Sequence, residues 1–179
     1  MILLEPIKRT DPRLLQNMRV HYSQPKGFVG RNICYAVMAN GHYYGAIVGG
    51  STPKHLPGRP YKLPLNNCVN NLFYHIEGPY PLRNFAQKVL LEYRKKIELD
   101  WFVKYGDFVE AHESLVELPR TGEVYRRDGW KLVGLTKGFT CKRTAGKGSD
   151  SWTGKRVWDT ENLRPKHVFI KQAGFAVNG

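Results

Sequence analysis

The chain of 179 residues has little cysteine and no long apolar run. Its three cysteines, Cys34, Cys68 and Cys141, lie far apart and form no Cys-x-x-Cys pair, so neither a disulfide framework nor a zinc site is predicted. The start, MILLEPIKRTDP, is not typical of a secretory signal, because its apolar run ends at Leu4. No segment approaches the roughly 20 apolar residues of a membrane span. We therefore expect a cytoplasmic protein with no membrane partner, and the sequence leaves the oligomeric state open.

Acidic residues are also scarce. The chain has 28 Lys and Arg against 15 Asp and Glu, a net charge of +13. The excess lies in residues 1–80 and 121–179, whereas residues 81–120 carry seven of each sign. A polyanion is the expected partner, because each neutralised phosphate releases counterions. We expect DNA. The alternative is a generally basic soluble protein with no role in nucleic-acid binding.

The chain does contain clear helix and strand patterns. Helices are predicted at 12–22 and 83–104 with a short helix or turn at 121–128, and strands at 33–38, 43–48, 68–76, 108–116, 130–136 and 166–172. Asn40-Gly41 between two apolar runs predicts a hairpin. The long helix has an apolar stripe from Phe85 to Trp101, and Arg94 lies off that stripe. This order favours one α+β domain over residues 1–179, a mainly antiparallel sheet with helices packed on it.

Two segments, 49–66 and 142–166, are basic and without periodicity. The first contains four prolines, and core-like runs on both sides favour a substrate loop over a domain boundary. The bases that we expect to contact nucleic acid, as phosphate contacts and not as sequence readers, are Lys54, Arg59, Lys142, Arg143, Lys147, Lys155 and Arg156. Side chains that could form the wall of a pocket for a flipped base are Tyr22, Tyr43, Tyr44 and Trp152.

Three motifs carry a resemblance to a known family: His21-Tyr22, the hairpin ending in Gly49-Gly50-Ser51, and the block TGEVYRRDGWKLVGLT at 121–136. Together they resemble the Mom family of phage DNA-modification proteins, which has a His-Tyr pair, a hairpin ending in Gly-Ser, an Asn on the next strand and a Gly-x-x-Tyr-Arg block. Residues 113–117 and 166–171 also resemble a broader group that includes a component of the Druantia anti-phage system. The resemblance covers roughly residues 20–143, and more loosely 164–172.

The resemblance implies a GNAT acetyltransferase-like fold. It also implies conversion of the exocyclic amine of adenine in DNA to an acetamido-type derivative, which protects phage DNA from restriction. His21, Tyr22 and Ser51 are carried over as catalytic residues and Asn70 as a cofactor-binding residue. Tyr125 stands where GNAT-like enzymes place a tyrosine that protonates a leaving thiolate.

The chain departs from these patterns at two places. Asn71 replaces the arginine of Mom-type proteins, and PLRNFA at 81–86 replaces the GNAT phosphate loop. An acyl-CoA-type donor is therefore possible but is not supported by a phosphate-loop motif. The start of the long helix, with Arg83 beside it, could still bind an anion. No His-x-x-x-His spacing is present, so the sequence indicates no metal site, although a site built from distant residues stays open.

The adenine amine is a poor nucleophile, so its modification needs a positioned base and a polarised donor. Glu117 and Glu113 are candidate carboxylates that share a strand face, Arg126 could hold the donor or a phosphate, and Gly122 would let the backbone approach a ligand. Each has a structural alternative. The acids could form a solvated face, Tyr125 could fill core, Arg126 could pair with a local acid, and His21 could be an ordinary histidine at a helix end.

Two other functions remain open at this point. One is a non-catalytic GNAT-like DNA-binding protein of a phage defence or counter-defence system, which Asn71 and the missing phosphate loop favour. The other is an acyltransferase acting on RNA or on a protein amine. The leading hypothesis expects Tyr125, Glu117, His21 and Ser51 to converge on one pocket beside the basic segments.

Overall fold

The computed structural model describes residues 1–53, 67–143 and 156–174, with residues 140–143 and 156–158 described by their backbone only. The helices are α1 (Pro12–Val20), α2 (Phe85–Tyr105) and α3 (Glu123–Arg127). The strands are β1 (Ile2–Ile7), β2 (Asn32–Ala39), β3 (His42–Ser51), β4 (Cys68–Ile76), β5 (Ala111–Glu117), β6 (Lys131–Leu135), β7 (Thr140–Arg143), β8 (Arg156–Asp159) and β9 (Lys166–Gln172).

Seven strands form one sheet in the order β1-β2-β3-β4-β5-β9-β6, while β7 pairs with β8. All pairings are antiparallel except that of β4 with β5. Helix α2 packs on one face, where its whole predicted stripe is buried with Tyr35 and Ile47. Helix α1 packs on the other face through Leu14 and Met18. The fold is therefore α+β with a mostly antiparallel central sheet, which confirms the predicted fold class.

The sequence predictions need three corrections. Strand β1 was not predicted, because Glu5 and Pro6 interrupt its apolar pattern. The segment 49–66 does not begin irregularly, since β3 continues to Ser51. Part of 142–166 is not irregular either, because β8 lies within it and pairs with β7. Arg94, which lies off the predicted apolar stripe, is nevertheless buried and forms an ion pair with Asp128.

Strand β3 extends beyond its predicted end at Val48, and the packing of the added residues requires glycine. A Cβ at Gly49 would lie 2.4 Å from the Tyr93 hydroxyl, and one at Gly50 would lie 2.3 Å from Leu72 Cδ1. The Gly-Gly pair therefore allows close packing on both faces of the sheet. No helix in the described part of the chain is long and apolar enough to span a membrane.

Candidate functional site: the cleft between β4 and β5

Strands β4 and β5 pair over only part of their length. The parallel register ends at Asn71 and Ser114, although β4 continues to Ile76 and β5 to Glu117. Against β3, Gly49 is opposite Asn71 and Val48 is opposite Phe73, so Leu72 is the extra residue of a β-bulge. A bulge bends its strand and re-aims the neighbouring side chains. Beyond this point β4 and β5 separate, and a cleft of about 540 Å³ opens between them.

The cleft brings together residues from distant parts of the sequence. Its walls are residues 21–23 after α1, 71–74 of β4, 114–117 of β5, 119–125 leading into α3, and Lys166 of β9. Five residues predicted from sequence therefore line one cleft: His21, Tyr22, Glu117, Gly122 and Tyr125.

Tyr125 is buried at the inner end of the cleft, stacked on Phe169 with ring centroids 5.6 Å apart. Its hydroxyl accepts a hydrogen bond from Asn71 Nδ2 at 3.1 Å, and it is also bonded to the side chain of Ser114. Burial raises the pKa of Tyr125, whereas the Ser114 bond acts to lower that pKa. The hydroxyl therefore keeps its proton at neutral pH. Because Asn71 donates to its oxygen, the proton of Tyr125 itself can be donated to a ligand.

His21, which ends α1, is a neutral histidine. Its Nδ1 accepts the Ser23 backbone N–H at 3.3 Å and lies 2.8 Å from Ser23 Oγ, which leaves the ring proton on Nε2. The ring also hydrogen-bonds the backbone of Tyr74. Burial, together with the charges of His75 and Arg120, lowers the pKa of His21 to about 4. His21 is thus an ordered part of the cleft wall.

Tyr22 lies next to His21 in the cleft wall, together with Arg120. Its hydroxyl hydrogen-bonds the backbone of Glu117, and the Arg120 guanidinium lies 3.4 Å above the centre of its ring. The rings of Tyr22 and His21 are 4.2 Å apart. Because His21 is bonded to β4 and Tyr22 to β5, the His-Tyr pair bridges the two strands where they have separated. Sequence reasoning missed Arg120, since no motif or spacing marks it.

The two candidate carboxylates lie in different surroundings. Glu117 lines the cleft, and its Oε1 accepts bonds from Arg164 Nε at 3.0 Å and Nη2 at 2.7 Å. Glu113 does not line the cleft. It is fully buried and accepts a bond from Asn70 Nδ2 at 2.7 Å. The alternative in which Glu113 belongs to a solvated face is therefore wrong. The side-chain amide of Asn70, a predicted cofactor-binding residue, is hydrogen-bonded to Glu113.

Three other predicted residues lie outside the cleft lining. Ser51 pairs with Val69, before the strands separate, so it does not join Tyr125 in one pocket. Arg126 is exposed, with its guanidinium 5.5 Å from the centre of the Phe169 ring. Arg83 is exposed just before α2. The expected convergence of the catalytic residues therefore holds for His21, Glu117 and Tyr125 but not for Ser51.

The backbone of Gly122 closely approaches a side chain of the protein. It adopts a φ of +69°, and a Cβ there would lie 2.4 Å from the ring of Phe169. The close approach that we expected between backbone and ligand is an approach to Phe169. Gly122 nevertheless lines the cleft and begins α3, so it fixes the position of Tyr125.

The predicted nucleic-acid contacts stay predictions. Lys54, Arg59, Lys147, Lys155 and the candidate wall residue Trp152 lie outside the described residues, and Lys142, Arg143 and Arg156 are described by backbone alone. Two other candidate wall residues do not line the cleft. The Tyr43 hydroxyl bonds Asn17, and Tyr44 packs on Phe85. Among residues 1–53, 67–143 and 156–174, no three His, Cys, Asp or Glu side chains are grouped so as to hold a metal ion.

No protein-family profile and no curated protein matches the sequence, but solved structures match the fold. The ribosomal-protein-S18-alanine N-acetyltransferase of Escherichia coli has a TM-score of 0.59 at 10% identity over 100% of this chain and 98% of its own. A Bacillus subtilis acetyltransferase in complex with CoA has a TM-score of 0.59 at 12% identity, covering 96% and 99%. A GNAT family acetyltransferase from Elizabethkingia anophelis with acetyl-CoA bound has a TM-score of 0.56 at 8% identity, covering 96% and 97%. The chain has the fold of the GNAT acetyltransferases.

Proposed function

We propose that the chain is an acyltransferase-type DNA-modification enzyme that converts the exocyclic amine of adenine to an acetamido-type derivative and so protects phage DNA from restriction. The observation that carries the proposal is the cleft where β4 and β5 separate. It combines a buried tyrosine hydroxyl, a carboxylate and a flat wall of Tyr22 and Arg120. The net charge of +13 favours a polyanionic substrate.

The separation of the strands fits a donor of the acyl-CoA type. Beyond Asn71 and Ser114 the two main chains no longer pair with each other, so the peptide groups there that are not bonded by His21 or Tyr22 can bond an amide-containing ligand. Two of the similar structures hold CoA or acetyl-CoA. When bound, such a donor supplies an activated acyl group on a thiolate leaving group. Arg83 and the start of α2 are where we expect the donor phosphates to bind.

Tyr125 is the residue that would hold and release a proton. Because its hydroxyl keeps its proton at neutral pH, Tyr125 would be the group that donates a proton to the departing thiolate as the carbon–sulfur bond breaks. After the proton has left, Asn71 and Ser114 still donate hydrogen bonds to the phenolate oxygen. Glu117 is the residue that would take a proton from the amine, and the Arg164 guanidinium keeps its carboxylate oriented through Oε1.

The acceptor side suits a single planar base. Arg120 stacks on Tyr22, and Tyr22 is itself in ring contact with His21. A guanidinium and aromatic stack of this kind can bind the face of a nucleobase. An enzyme that modifies a base in DNA must take it out of the duplex or meet it single-stranded.

The test is nucleoside mass spectrometry of DNA from cells that express the protein, its Tyr125→Phe variant, or a Tyr44→Phe control. We expect a modified adenine with the wild type and the control. With Tyr125→Phe the yield should fall by about 100-fold or more, because one proton transfer is lost. Unmodified adenine throughout, with soluble protein, would contradict the proposal.

The two other functions give different results in the same cells. Modified nucleosides in RNA, or acylated protein amines, with normal DNA would identify the other acyl acceptors. Protection of phage DNA that survives both Tyr125→Phe and Glu117→Gln, without any modified base, would identify a non-catalytic DNA-binding protein.

A further inference from the structure

Among the described residues, the side-chain amide of Asn71 forms a hydrogen bond through its nitrogen but none through its oxygen. Nδ2 donates to the Tyr125 hydroxyl at 3.1 Å. Oδ1 is buried and has no hydrogen-bond partner among the described residues, and Asn71 as a whole is only 5% exposed. Buried acceptors are nearly always bonded, so an unpaired one on a residue that lines the cleft indicates a place for a donor from outside the chain.

The neighbouring polar side chains already form hydrogen bonds with other side chains. Asn70 donates to Glu113, and Ser114 is bonded to Tyr125. In this arrangement the nitrogen of the Asn71 amide faces the hydroxyl of Tyr125, and its oxygen is turned away from it. A ligand N–H bonded to Oδ1 would therefore lie directly beside the hydroxyl of Tyr125.

We propose that Asn71 Oδ1 accepts one N–H of the acceptor amine and that Asn71 is a specificity-determining residue of the cleft. The identification of the amine as that of a nucleobase rests on the proposed function. A primary amine has two N–H groups, so one can bond Asn71 and the other can face Glu117. A base with a carbonyl oxygen at the same place would leave Oδ1 facing another acceptor. The site would thus select bases that carry an exocyclic amine over those that carry a carbonyl.

The test measures binding of the full chain to two fluorescent single-stranded oligonucleotides that differ at one central base, adenine or purine without the exocyclic amine. We expect the wild type to prefer adenine by about tenfold, the effect of one hydrogen bond to an otherwise unpaired buried group. Asn71→Leu should remove the preference. Asn67→Leu is the matched control and should keep it, because Asn67 bonds Glu110 and does not line the cleft.

The ratio of the two affinities is measured within each variant, so partial misfolding of Asn71→Leu does not affect it. Asn71→Asp, which keeps an oxygen acceptor, should retain more of the preference than Asn71→Leu. Equal binding of both oligonucleotides by the wild type, or a preference that survives Asn71→Leu, overturns the inference. If modified adenine is found in cells while the preference survives Asn71→Leu, only this inference fails and the proposed function stands.

Discussion

The two halves of the sheet, on either side of β4, bury different kinds of side chain. In β2 the consecutive residues 34–37 are all buried and apolar, and they pack on both faces of the sheet. In β5 the consecutive residues 112–114 are just as deeply buried, but they are histidine, glutamate and serine. The first half is held by apolar packing, whereas the second half depends on polar groups that need partners.

Those partners come from α2 and β4. His112 bonds Glu98 at 2.8 Å, and Glu113 is bonded by Asn70. Behind α3, Asp128 accepts bonds from Arg94 Nε at 3.0 Å, Arg94 Nη2 at 3.1 Å and Trp130 Nε1 at 2.8 Å. Asp128 immediately follows the helix that carries Tyr125. We infer that the buried polar side chains hold Tyr125 in position, because apolar packing alone would be the simpler way to stabilise a sheet.

The largest expected effect comes from breaking this network at Asp128. Asp128→Ala leaves Arg94 as an unpaired charge that is only 8% exposed, so we expect a loss of about 3–5 kcal/mol in the free energy of unfolding. Urea denaturation measures it. The control is Glu123→Ala, which breaks the exposed pair of Glu123 and Arg127 and should cost about 0.5 kcal/mol or less. Equal, small effects of both substitutions would show that the polar half is no more dependent on its pairs than the surface.

The next effect tests the contact beneath Tyr125. Gly122→Ala places a methyl group against Phe169 and forces alanine to a φ of +69°, which together should cost about 3 kcal/mol. Gly106→Ala is the control, because φ is +76° there but nothing lies within 4 Å of the added carbon. Its cost should be about 1 kcal/mol, again by urea denaturation. If both variants lose the same stability, the packing of Gly122 on Phe169 contributes nothing.

The elements that a local pattern defines are predicted best, for a physical reason. The hairpin at Asn40-Gly41 and the stripe of α2 follow from local periodicity and turn chemistry, and both were found. Strand β4 was predicted with its observed bounds. Edge strand β1 was missed because its pairing with β2, and not its own pattern, makes it a strand.

The candidate site divides in the same way. His21, Tyr22 and Tyr125 were found because short motifs mark them. The roles of Asn71 and Arg120 depend on where β4 and β5 separate, which is a long-range property that no local spacing reveals. Glu113 and Glu117 are equally acidic in the sequence, and only the fold distinguishes the buried partner of Asn70 from the residue that lines the cleft.

The smallest expected effect is a pH dependence that comes from His21, the point where the apolar half meets the cleft. Its pKa in the folded chain is about 4, below the ordinary 6.5, because the ring is buried near His75 and Arg120. Between these two values the unfolded chain binds a proton at His21 that the folded chain does not. Stability is therefore lost as the pH falls from 6.5 towards 4.

From pH 7 to pH 5 the contribution of His21 should fall by about 2 kcal/mol. The measurement is urea denaturation at both pH values for the wild type and His21→Gln, with the difference between the two proteins isolating this residue. His42→Gln is the control, because His42 is exposed at the hairpin and its loss should leave the pH dependence unchanged. If His21→Gln and the wild type lose the same stability on acidification, the pKa of His21 is not lowered by folding, and its ring is not the buried neutral group described above.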